Sequence, residues 1–418
     1  MIPNHSHAML TRTYLDHAAG TPVDPQVERT MRPYFLKEFG NPGSLHSFGQ
    51  EAIAALDAAR ESFAGLIGAD FREVVFTGSA TEANNLALRG AVRAWNGEPR
   101  HRGLAPRIIV SAIEHESVLE TAADLAREGA ETVYAPVDGR GAVDPSWIAQ
   151  AIGDDGRTAI VSVMHVNNET GTVQPVAAIA DAVRELRIHA NANVRGAAGA
   201  SGRVPARWPL FHTDAVQAFP YLSCDMRRIA ADMMTLSAHK ICGPKGVGAL
   251  FVRTGTPLAP IVTGGGQEFG FRSGTENVPL IAGFAKAAAL AAASREKEAA
   301  RLHSLRDHCI KGIKKTLRGA MFHGPTRRSS AAPHIVNFSV PGRDAADLVV
   351  MLDLAGIAVS SGSACRARAA APSYVLRALH GDGLAPGEHA PSGVRVSFGR
   401  TTTKEDVNRF LRALKSLR

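Results

Sequence analysis

Short apolar segments alternate with alanine-rich segments from about residue 50, and this alternation limits the possible folds more than any other feature. The apolar segments are "EVVFTG", "RIIVSA", "TAIVSVMHV", "MMTLSAHK" and "VGALFV", while "EAIAALDAARESFAGLIG" has the composition of a helix. Strands and helices that alternate in this way predict a mainly parallel sheet covered by helices. Because ligands bind at the carboxyl ends of such strands, the polar residues that follow them should share one rim.

The composition is that of a globular protein. The chain has 418 residues, of which 45% are hydrophobic and 21% are charged, and this length favours two domains. The net charge of +8 indicates a basic surface rather than nucleic-acid binding, because the Lys and Arg residues are scattered and not interleaved with aromatic residues. The opening "MIPNHSHAMLTR" has no apolar core, so we expect a cytoplasmic protein without a membrane span.

The sequence pattern changes along the chain and suggests domain boundaries. Residues 283–320 are helical in pattern, and short strands follow around "HIVNFSV" and "GVRVSFG", which favours a long helix leading into a smaller α+β domain. The expected units are a disordered extension at 1–12, a small domain at 13–25 and 283–418, and a large domain at 26–282. Residues 189–209 are rich in Gly and Ala, lack periodicity, and are interpreted as an exposed insertion.

The four cysteines, Cys224, Cys242, Cys309 and Cys365, lie far apart and form no C-x-x-C pair. Neither a metal site nor a disulfide framework is therefore expected. Cys365 differs from the others because it ends "SSGSAC", a run without side chains suited to a core. This context indicates an accessible thiol, whereas the other three are interpreted as structural.

The first polar cluster follows the strand in "VVFTGSATEANN" and contains Ser79, Ala80 and Thr81. Free backbone amides and a hydroxyl at a strand-to-helix turn can hold a phosphate at the positive end of the helix dipole. An ordinary helix cap would look the same, so this cluster alone does not establish a phosphate site.

Further clusters supply groups that suit a planar, charged ligand. His115 of "SAIEHESV" can stack on a ring and exchange a proton, and "HVNNETG" offers Asn167 and Asn168. In "FHTDAVQ", Asp214 provides a carboxylate for a cation and Gln217 lies three residues further on. No second histidine follows His115 at the spacing of a metalloprotease.

The segment "TLSAHKICGPKGVGAL" completes the set with Ser237, His239 and Lys240. Lysine forms a Schiff base with an aldehyde cofactor, and the neighbouring Ser and His can bind a phosphate. Pyridoxal phosphate needs a phosphate cradle, a ring stacker, a carboxylate for its ring nitrogen and this lysine. Nucleotide sites fit poorly, because "GPKGVG" lacks the P-loop spacing and "GGGQEFG" lacks a strand-to-helix context.

Taken in order, these stretches resemble the cysteine desulfurases of the class-V aminotransferase family, which use pyridoxal phosphate. The matching stretches are "YLDHAAGTP", "GNPGSLHSFG", "FTGSATEANN", "EHESV", "VNNETG", "HTDAVQ", "SAHKICGPKGVGAL", "GGGQEFGFRSGTENV", "SSGSAC" and "VRVSFGR". The form "SSGSAC" is similar to the long-loop group, of nitrogen-fixation or iron–sulfur-assembly type. The resemblance implies the aspartate aminotransferase fold: an α/β protein with a large domain on a mainly parallel sheet and a smaller α+β domain.

The resemblance also implies a role for each residue at a matching position. Lys240 would be the Schiff-base lysine, and His115 the ring-stacking acid and base. Asp214 would pair with the pyridine nitrogen and Gln217 with the ring oxygen. Cys365 would accept the sulfur of L-cysteine as a persulfide and pass it to an acceptor protein, such as an iron–sulfur scaffold or a thiolation carrier.

The implied phosphate and substrate contacts come from both subunits of a homodimer. The phosphate contacts are Ala80, Thr81, Ser237 and His239, with Thr275 from the other subunit. Asn168 would contact cofactor and substrate, and Arg395 would bind the substrate carboxylate. Two alternatives remain open at this point: a selenocysteine lyase or other β-lyase of the same fold, and a non-catalytic sulfur-relay or scaffold-binding protein.

Overall fold

A seven-stranded sheet occupies the centre of the protein. The computed structural model describes residues 12–197, 207–362, 373–380 and 392–417, with backbone only for 189–197. The strands of the sheet are β2 Val74–Thr77, β3 Arg107–Ser111, β4 Glu131–Ala135, β5 Thr158–Ser162, β6 Leu210–Asp214, β7 Met233–Ser237 and β8 Gly248–Val252. Their order is β2-β8-β7-β6-β5-β3-β4, and β8 alone is antiparallel to its two neighbours. The mainly parallel sheet expected from the sequence is therefore confirmed.

The remaining strands form two small sheets. These strands are β1 Thr13–Tyr14, β9 Met321–His323, β10 Ile335–Ser339, β11 Ile357–Ala358 and β12 Val394–Ser397. Strands β12, β10 and β9 pair antiparallel in that order, and β1 pairs parallel with β11. The amino-terminal strand thus joins the carboxyl-terminal part of the chain. The domain boundaries themselves stay a prediction.

Helices cover both faces of the central sheet. They are α1 Pro25–Met31, α2 Pro33–Leu36, α3 Ser47–Ile67, α4 Ala80–Asn96, α5 Glu116–Arg127, α6 Pro145–Ile152, α7 Val176–Ala197, α8 Met226–Ile229, α9 Val278–Thr316, α10 Ala345–Leu354, α11 Tyr374–His380 and α12 Lys404–Ser416. Alternate strand residues point to opposite faces: Ile109 packs in one cluster with α3 and α9, and Ile108 in another with α4 and α5. Burial on both faces explains why these strands read as continuous apolar runs.

The long helix α9 connects the two parts of the core. Its first half packs with Phe63 of α3 through Phe284, and its second half packs with the small sheet through Leu302 and Ile313. By length and composition α9 could cross a membrane, yet half of its most apolar window is buried within the protein. The long helix predicted for residues 283–320 is confirmed, with slightly earlier bounds.

Residues 189–209 were interpreted as an exposed insertion that lacks periodicity, and the first part of this segment continues α7 through Ala197. The insertion itself stays a prediction. Alanine has the highest helix propensity, so this segment can extend a helix without apolar periodicity. Residues 198–206, and the extension expected at 1–12 apart from its last residue, lie outside the described part of the chain.

Candidate active site

A cavity of about 260 Å³ opens at the carboxyl ends of the parallel strands, where the sequence predicted a shared rim. Nine of the residues singled out for the ring, the phosphate and the substrate line it: Ala80, Thr81, His115, Asn168, Asp214, Gln217, His239, Lys240 and Arg395. They come from segments spread over more than 300 positions of the chain. The fold therefore brings together groups that the sequence could assign only one at a time.

Lys240 lies in a short turn of helix, Ala238–Lys240, that directly follows β7. Its Nζ atom donates hydrogen bonds to the backbone carbonyls of Ala18 and Ala19, at 2.6 and 2.8 Å. These contacts hold the amine at the cavity wall, because both carbonyls also line the cavity. The amine is thus positioned to react with a ligand bound there.

Asp214 is the last residue of β6 and is 5% exposed. Its Oδ2 accepts a hydrogen bond from Asn84 Nδ2 at 2.9 Å, and its Oδ1 accepts one from the backbone N–H of Val216 at 3.0 Å. The same Asn84 Nδ2 uses its other proton to donate a hydrogen bond to Ser117 Oγ at 2.8 Å. A buried carboxylate held in this way can pair with a cationic ring nitrogen.

His115 caps the amino terminus of α5. Its Nδ1 accepts the backbone N–H of Ser117 at 3.1 Å and lies 2.8 Å from Ser117 Oγ. Because Nδ1 accepts a backbone hydrogen bond, a neutral ring carries its proton on Nε2. The imidazole is therefore oriented by its own helix, with Nδ1 turned toward Ser117.

The amino terminus of α4 forms one end of the cavity. Ser79 caps the helix, and its Oγ accepts the N–H of Glu82 at 3.1 Å. Ala80 and Thr81 follow in the first turn, where backbone N–H groups lack partners within the helix. Gly248 of β8 allows the close approach behind this turn, because a Cβ atom there would lie 2.7 Å from the nitrogen of Ala80. This arrangement suits an anionic group.

His239 also lines the cavity, and Ser237 contacts its ring. Burial lowers the pKa of His239 to about 4, with Lys240, Lys245 and His115 adding to the effect, so the ring is neutral near pH 7. Ser237 Oγ lies 2.9 Å from His239 Nδ1. Ser237 is buried and is not among the residues that line the cavity. Ser237 therefore acts on the cavity indirectly, by contacting His239, and its direct contact with a phosphate stays a prediction.

Arg395 and Asn168 both line the cavity and are in contact with each other. The guanidinium is 1% exposed, and it donates to the Asn168 carbonyl at 2.9 Å and to Asp16 Oδ1 at 2.8 Å. Within the described part of the chain, Arg395 Nε and Asn168 Oδ1 are buried without a hydrogen-bond partner. Because unpaired buried polar atoms are costly, these two atoms mark the position where a polar ligand would bind.

Gln217 is held on both sides of its amide. Its Nε2 donates to the carbonyl of Ala18 at 3.0 Å, and its Oε1 lies 3.0 Å from His334 Nε2. Burial lowers the pKa of His334 to about 3, so this ring is neutral and donates from Nε2. Gln217 keeps one amide proton for a ligand oxygen.

Two of the sequence-derived site residues do not line this cavity, and a third is outside the part of the chain that the structure describes. Ser237 is one of them, and Thr275 is another; Thr275 is exposed in the loop before α9. Its expected role is in the other subunit, so a single chain does not test it. Cys365 lies outside the described residues. Cys224 and Cys309 are buried, and burial raises the pKa of each thiol to about 12, which fits structural roles.

Sequence reasoning missed several residues that build the site. Asn84 sits inside α4 and carries no motif, yet it contacts Asp214. Ala18 acts through its carbonyl oxygen, which residue identity does not reveal. Glu114 is fully buried, and burial raises the pKa of its carboxyl to about 8. Ser111 Oγ and the N–H of Met164 donate hydrogen bonds to this carboxyl, which oppose the rise in its pKa. Within the described ranges, no group of three potential metal ligands is present.

Comparison with known proteins agrees with this geometry. The family model described as "Aminotransferase class-V" matches residues 13–204 and 203–410. Cysteine desulfurase IscS of Dictyoglomus turgidum is 38% identical over 409 residues, covering 98% of this chain and 95% of the relative. Cysteine desulfurase IscS 1 of Archaeoglobus fulgidus is 40% identical over 401 residues, covering 96% of this chain and 95% of the relative.

A solved structure supports the same relationship. A NifS-like protein superposes with a TM-score of 0.82 at 31% identity, covering 97% of this chain and 99% of the other. The superposition covers nearly the whole of both chains, so the agreement is not limited to one motif. The chain belongs to the class-V aminotransferase family and, within it, to the cysteine desulfurases.

Proposed function

We propose that this protein converts L-cysteine to L-alanine with pyridoxal phosphate as cofactor and transfers the sulfur to Cys365 as a persulfide. The observation that carries the proposal is the convergence of Lys240, Asp214 and His115 on one cavity. The overall reaction balances without an oxidant: the carbon–sulfur bond of the substrate breaks, a sulfur–sulfur bond forms at Cys365, and the alanine carbon gains the proton. The persulfide then passes to an acceptor protein.

The residues present fit the cofactor. An amine, a buried carboxylate, an imidazole and a helix amino terminus surround the cavity, and Asn168 Oδ1 lacks a partner within the described part of the chain. When bound, pyridoxal phosphate supplies an electron sink that makes the substrate α-proton acidic. Lys240 would hold its aldehyde carbon, Asp214 its ring nitrogen, and the first turn of α4 with His239 its phosphate.

Other side chains of this protein would bind the substrate, transfer protons and accept the sulfur. Arg395, with its unpartnered Nε, and Asn168 would bind the substrate carboxylate and thereby orient the amino acid. His115 would hold or give a proton at Nε2, since Ser117 occupies Nδ1. Lys240 Nζ, once displaced by the substrate amine, would move the α-proton. The thiolate of Cys365 would attack the substrate sulfur, because a thiol is a poor nucleophile.

The proposal includes a homodimer in the cytoplasm, with Thr275 contributed to the partner's phosphate site. Exposed apolar residues close together in the sequence, in and after α2, support a second copy as partner: Phe35, Leu36, Phe39 and Leu45 are 55, 83, 65 and 93% exposed. Exposed apolar groups of this size usually mark an interface. Sedimentation at micromolar concentration should give a dimer, and a fully active monomer would contradict this part of the proposal.

The direct test of the proposed function is a turnover assay with two readouts. The purified protein with L-cysteine and a reductant should release alanine and sulfide in equal amounts. With one equivalent of L-cysteine and no reductant, mass spectrometry should find one added sulfur atom on the peptide that contains Cys365. Sulfide with pyruvate and ammonia in place of alanine would indicate a simple β-lyase, because β-elimination of sulfide leaves a product that hydrolyses to pyruvate. The absence of both alanine and persulfide would refute the proposed reaction.

A further inference from the structure

His334 is a buried histidine that the proposed chemistry does not use. It directly precedes β10 and is 2% exposed. Its carbonyl accepts the N–H of Phe398, the residue after β12, at 2.8 Å, so the three-stranded sheet fixes its backbone. The centroid of its ring lies 4.5 Å from that of the Tyr221 ring. Because burial of an imidazole is costly, the contacts of its two nitrogens are the next question.

One ring nitrogen of His334 contacts a residue of the cavity wall. Nε2 lies 3.0 Å from Oε1 of Gln217, and Gln217 lines the cavity. This contact joins the three-stranded sheet to the turn that follows β6 in the central sheet. The other nitrogen, Nδ1, is buried and has no hydrogen-bond partner among the described residues. His334 does not line the cavity itself, so it acts there through Gln217.

The carbonyl of Ala18 determines the orientation of the Gln217 amide. This oxygen can only accept hydrogen bonds, so the Gln217 atom that lies 3.0 Å from it must be the donor Nε2. Oε1 then faces His334, whose Nε2 must carry the proton that Oε1 accepts. The reverse orientation would place two acceptors together at Ala18. It would also put the imidazole proton on Nδ1, which has no partner within the described part of the chain.

The protonation state of His334 is the same throughout the neutral pH range. Burial lowers the pKa of its ring to about 3. The charges of four nearby side chains contribute to this decrease: Arg395, His17, Arg306 and His303. The ring therefore keeps a single proton, on Nε2, well above that pH. Its hydrogen bond to Gln217 does not change when groups in the cavity titrate near neutral pH.

We propose that His334 is a positioning residue for the cofactor: it holds Oε1 of Gln217 and thereby keeps an N–H of Gln217 directed at the ring oxygen of pyridoxal phosphate. The inference rests on the proposed function, since it takes this cofactor and its contact with Gln217. A hydrogen bond donated to the ring oxygen stabilises the deprotonated form of the bound cofactor and so lowers its pKa. Without His334, the amide can turn its oxygen toward the cavity, and the donor is lost.

The test measures the absorbance of the cofactor-loaded protein against pH, because deprotonation changes the colour of the bound cofactor. His334→Phe keeps an aromatic ring beside Tyr221 and removes the donor. The midpoint of the absorbance change should move to higher pH by about one pH unit, and the affinity for pyridoxal phosphate should fall about tenfold. The titratable groups that line the cavity are the same in both proteins: His115, Asp214, His239, Lys240 and Arg395.

Two further variants separate positioning from stability. His334→Gln can place an amide N–H near the position of Nε2, so it should restore most of the wild-type midpoint and affinity. His323→Phe is the matched control: His323 is 4% exposed in β9 of the same small sheet, and its Nε2 lies 3.0 Å from Ser339 Oγ. This variant should lower the free energy of unfolding, as His334→Phe does, and leave the absorbance midpoint unchanged, because His323 does not line or contact the cavity wall at Gln217.

The double variant His334→Phe/Gln217→Leu should have the same midpoint as Gln217→Leu alone, since His334 acts through Gln217. A further shift in the double variant, an unchanged midpoint in His334→Phe, or an equal shift in His323→Phe would overturn the inference. Should His334→Phe fail to fold, His334→Met decides the question, because methionine has no donor and its flexible side chain adapts to a core. A wild-type protein that does not bind pyridoxal phosphate would refute the proposed function itself, which distinguishes the two failures.

Discussion

The amine of Lys240 lies 2.6 Å from the carbonyl oxygen of Ala18, a residue 222 positions earlier in the chain. The same carbonyl accepts a hydrogen bond from Gln217 Nε2 at 3.0 Å. The segment between β1 and α1 thus holds two of the residues that surround the proposed cofactor ring. Its contribution comes from backbone atoms, so the side chains at 18 and 19 can be as small as alanine.

Replacing Lys240 with Ala should abolish covalent attachment of the cofactor. The wild-type protein should be coloured when loaded with pyridoxal phosphate, and borohydride should fix the cofactor to the peptide that contains Lys240, because only a primary amine forms the reducible link. Lys245→Ala, a nearby lysine outside the cavity wall, is the matched control and should label normally. A borohydride-stable adduct at this site in Lys240→Ala would refute the assignment.

Asn84→Ala should weaken the site without removing any group that reacts. The variant loses the hydrogen bond to Asp214 Oδ2, and hydrogen bonds to charged groups contribute about 1.5–3 kcal/mol. Cofactor affinity or turnover should therefore fall about ten- to a hundredfold, as measured by titration with pyridoxal phosphate and by alanine release.

Asn85→Ala provides the comparison for that variant. Asn85 is the next residue of α4, but its side chain contacts only the carbonyl of Thr81 and the side chain of Arg89 within the described part of the chain. Its cofactor affinity should stay within about twofold of the wild-type value. Equal losses in both variants would mean that α4 is merely destabilised.

Much of the site could be predicted from the sequence because parallel strands align their carboxyl ends. His115 and Lys240 closely follow strands that the apolar segments predicted, so the strand pattern alone predicts that they meet. Asp214 ends β6, which is not among those segments, and it was assigned from its polar cluster. Asn84 could not be found in this way, since it lies inside a helix and its contact depends on how α4 rotates against the sheet. The contact made by the carbonyl of Ala18 could not be predicted either, because every residue has a backbone carbonyl.

The limits of periodicity explain the errors in the fold. Strand β4 was not recognised, because it lies at the edge of the sheet and its residues Glu131, Thr132 and Tyr134 are polar or partly exposed. Residues 189–197 lack apolar periodicity although they continue α7. Periodicity reports which residues pack against a core, whereas the backbone of an alanine-rich segment follows its propensity.

The buried ion pair between Arg60 and Glu268 should be essential for stability. Both residues are at least 96% buried, two N–H···O contacts of 2.7 Å join them, and Glu268 also accepts the N–H of Phe76. Glu268→Ala leaves a buried guanidinium without its partner, so the free energy of unfolding should fall by about 3–5 kcal/mol. Urea denaturation measures this loss.

The exposed pair Arg32 and Glu28 is the control for that experiment. Arg32→Ala should change the free energy of unfolding by less than about 1 kcal/mol, because water screens exposed charges. A similarly small change in Glu268→Ala would contradict the role given to the buried pair. The loop anchored by Glu268 leads to Thr275, so loss of cofactor retention in Glu268→Ala is also expected.

Buried neutral histidines should make the protein less stable in acid. Burial lowers the pKa of His212 to about 3, and its ring nitrogens contact Ser162 and Thr235. Because the folded pKa is below the ordinary value of 6.5, the unfolded chain binds more protons as pH falls from about 7 toward 3, and stability is lost in that window. Above pH 7 this contribution is fully present.

His212→Gln should reduce the pH dependence of stability. Between pH 7 and pH 5, one such histidine accounts for about 2 kcal/mol of the decrease in the free energy of unfolding, and the variant should lack that share. Thr235→Val keeps the imidazole and removes one partner, so it should lower stability similarly at both pH values. An identical decrease in wild type and His212→Gln would show that this histidine does not titrate on unfolding.

Cys365→Ser decides between a desulfurase and a simple lyase. The variant should still bind pyridoxal phosphate and L-cysteine, because the residues that line the cavity are untouched. Turnover to alanine should fall about a thousandfold, which corresponds to roughly 4 kcal/mol in the activation free energy. The physical reason is that a hydroxyl is not ionised near pH 7, whereas a thiol with a pKa near 8.5 is partly ionised.

The remaining thiols allow a matched control for that variant. Cys242 is the thiol closest in sequence to Lys240, but burial raises its pKa, so it should not replace Cys365 as nucleophile. Cys242→Ser should therefore release alanine at the wild-type rate, and added sulfur should appear on the Cys365 peptide alone. Two results would contradict this assignment: persulfide on Cys242, or alanine release by Cys365→Ser at a near-normal rate. Either result would mean that sulfur leaves the substrate without Cys365, so that the segment "SSGSAC" does not carry the acceptor.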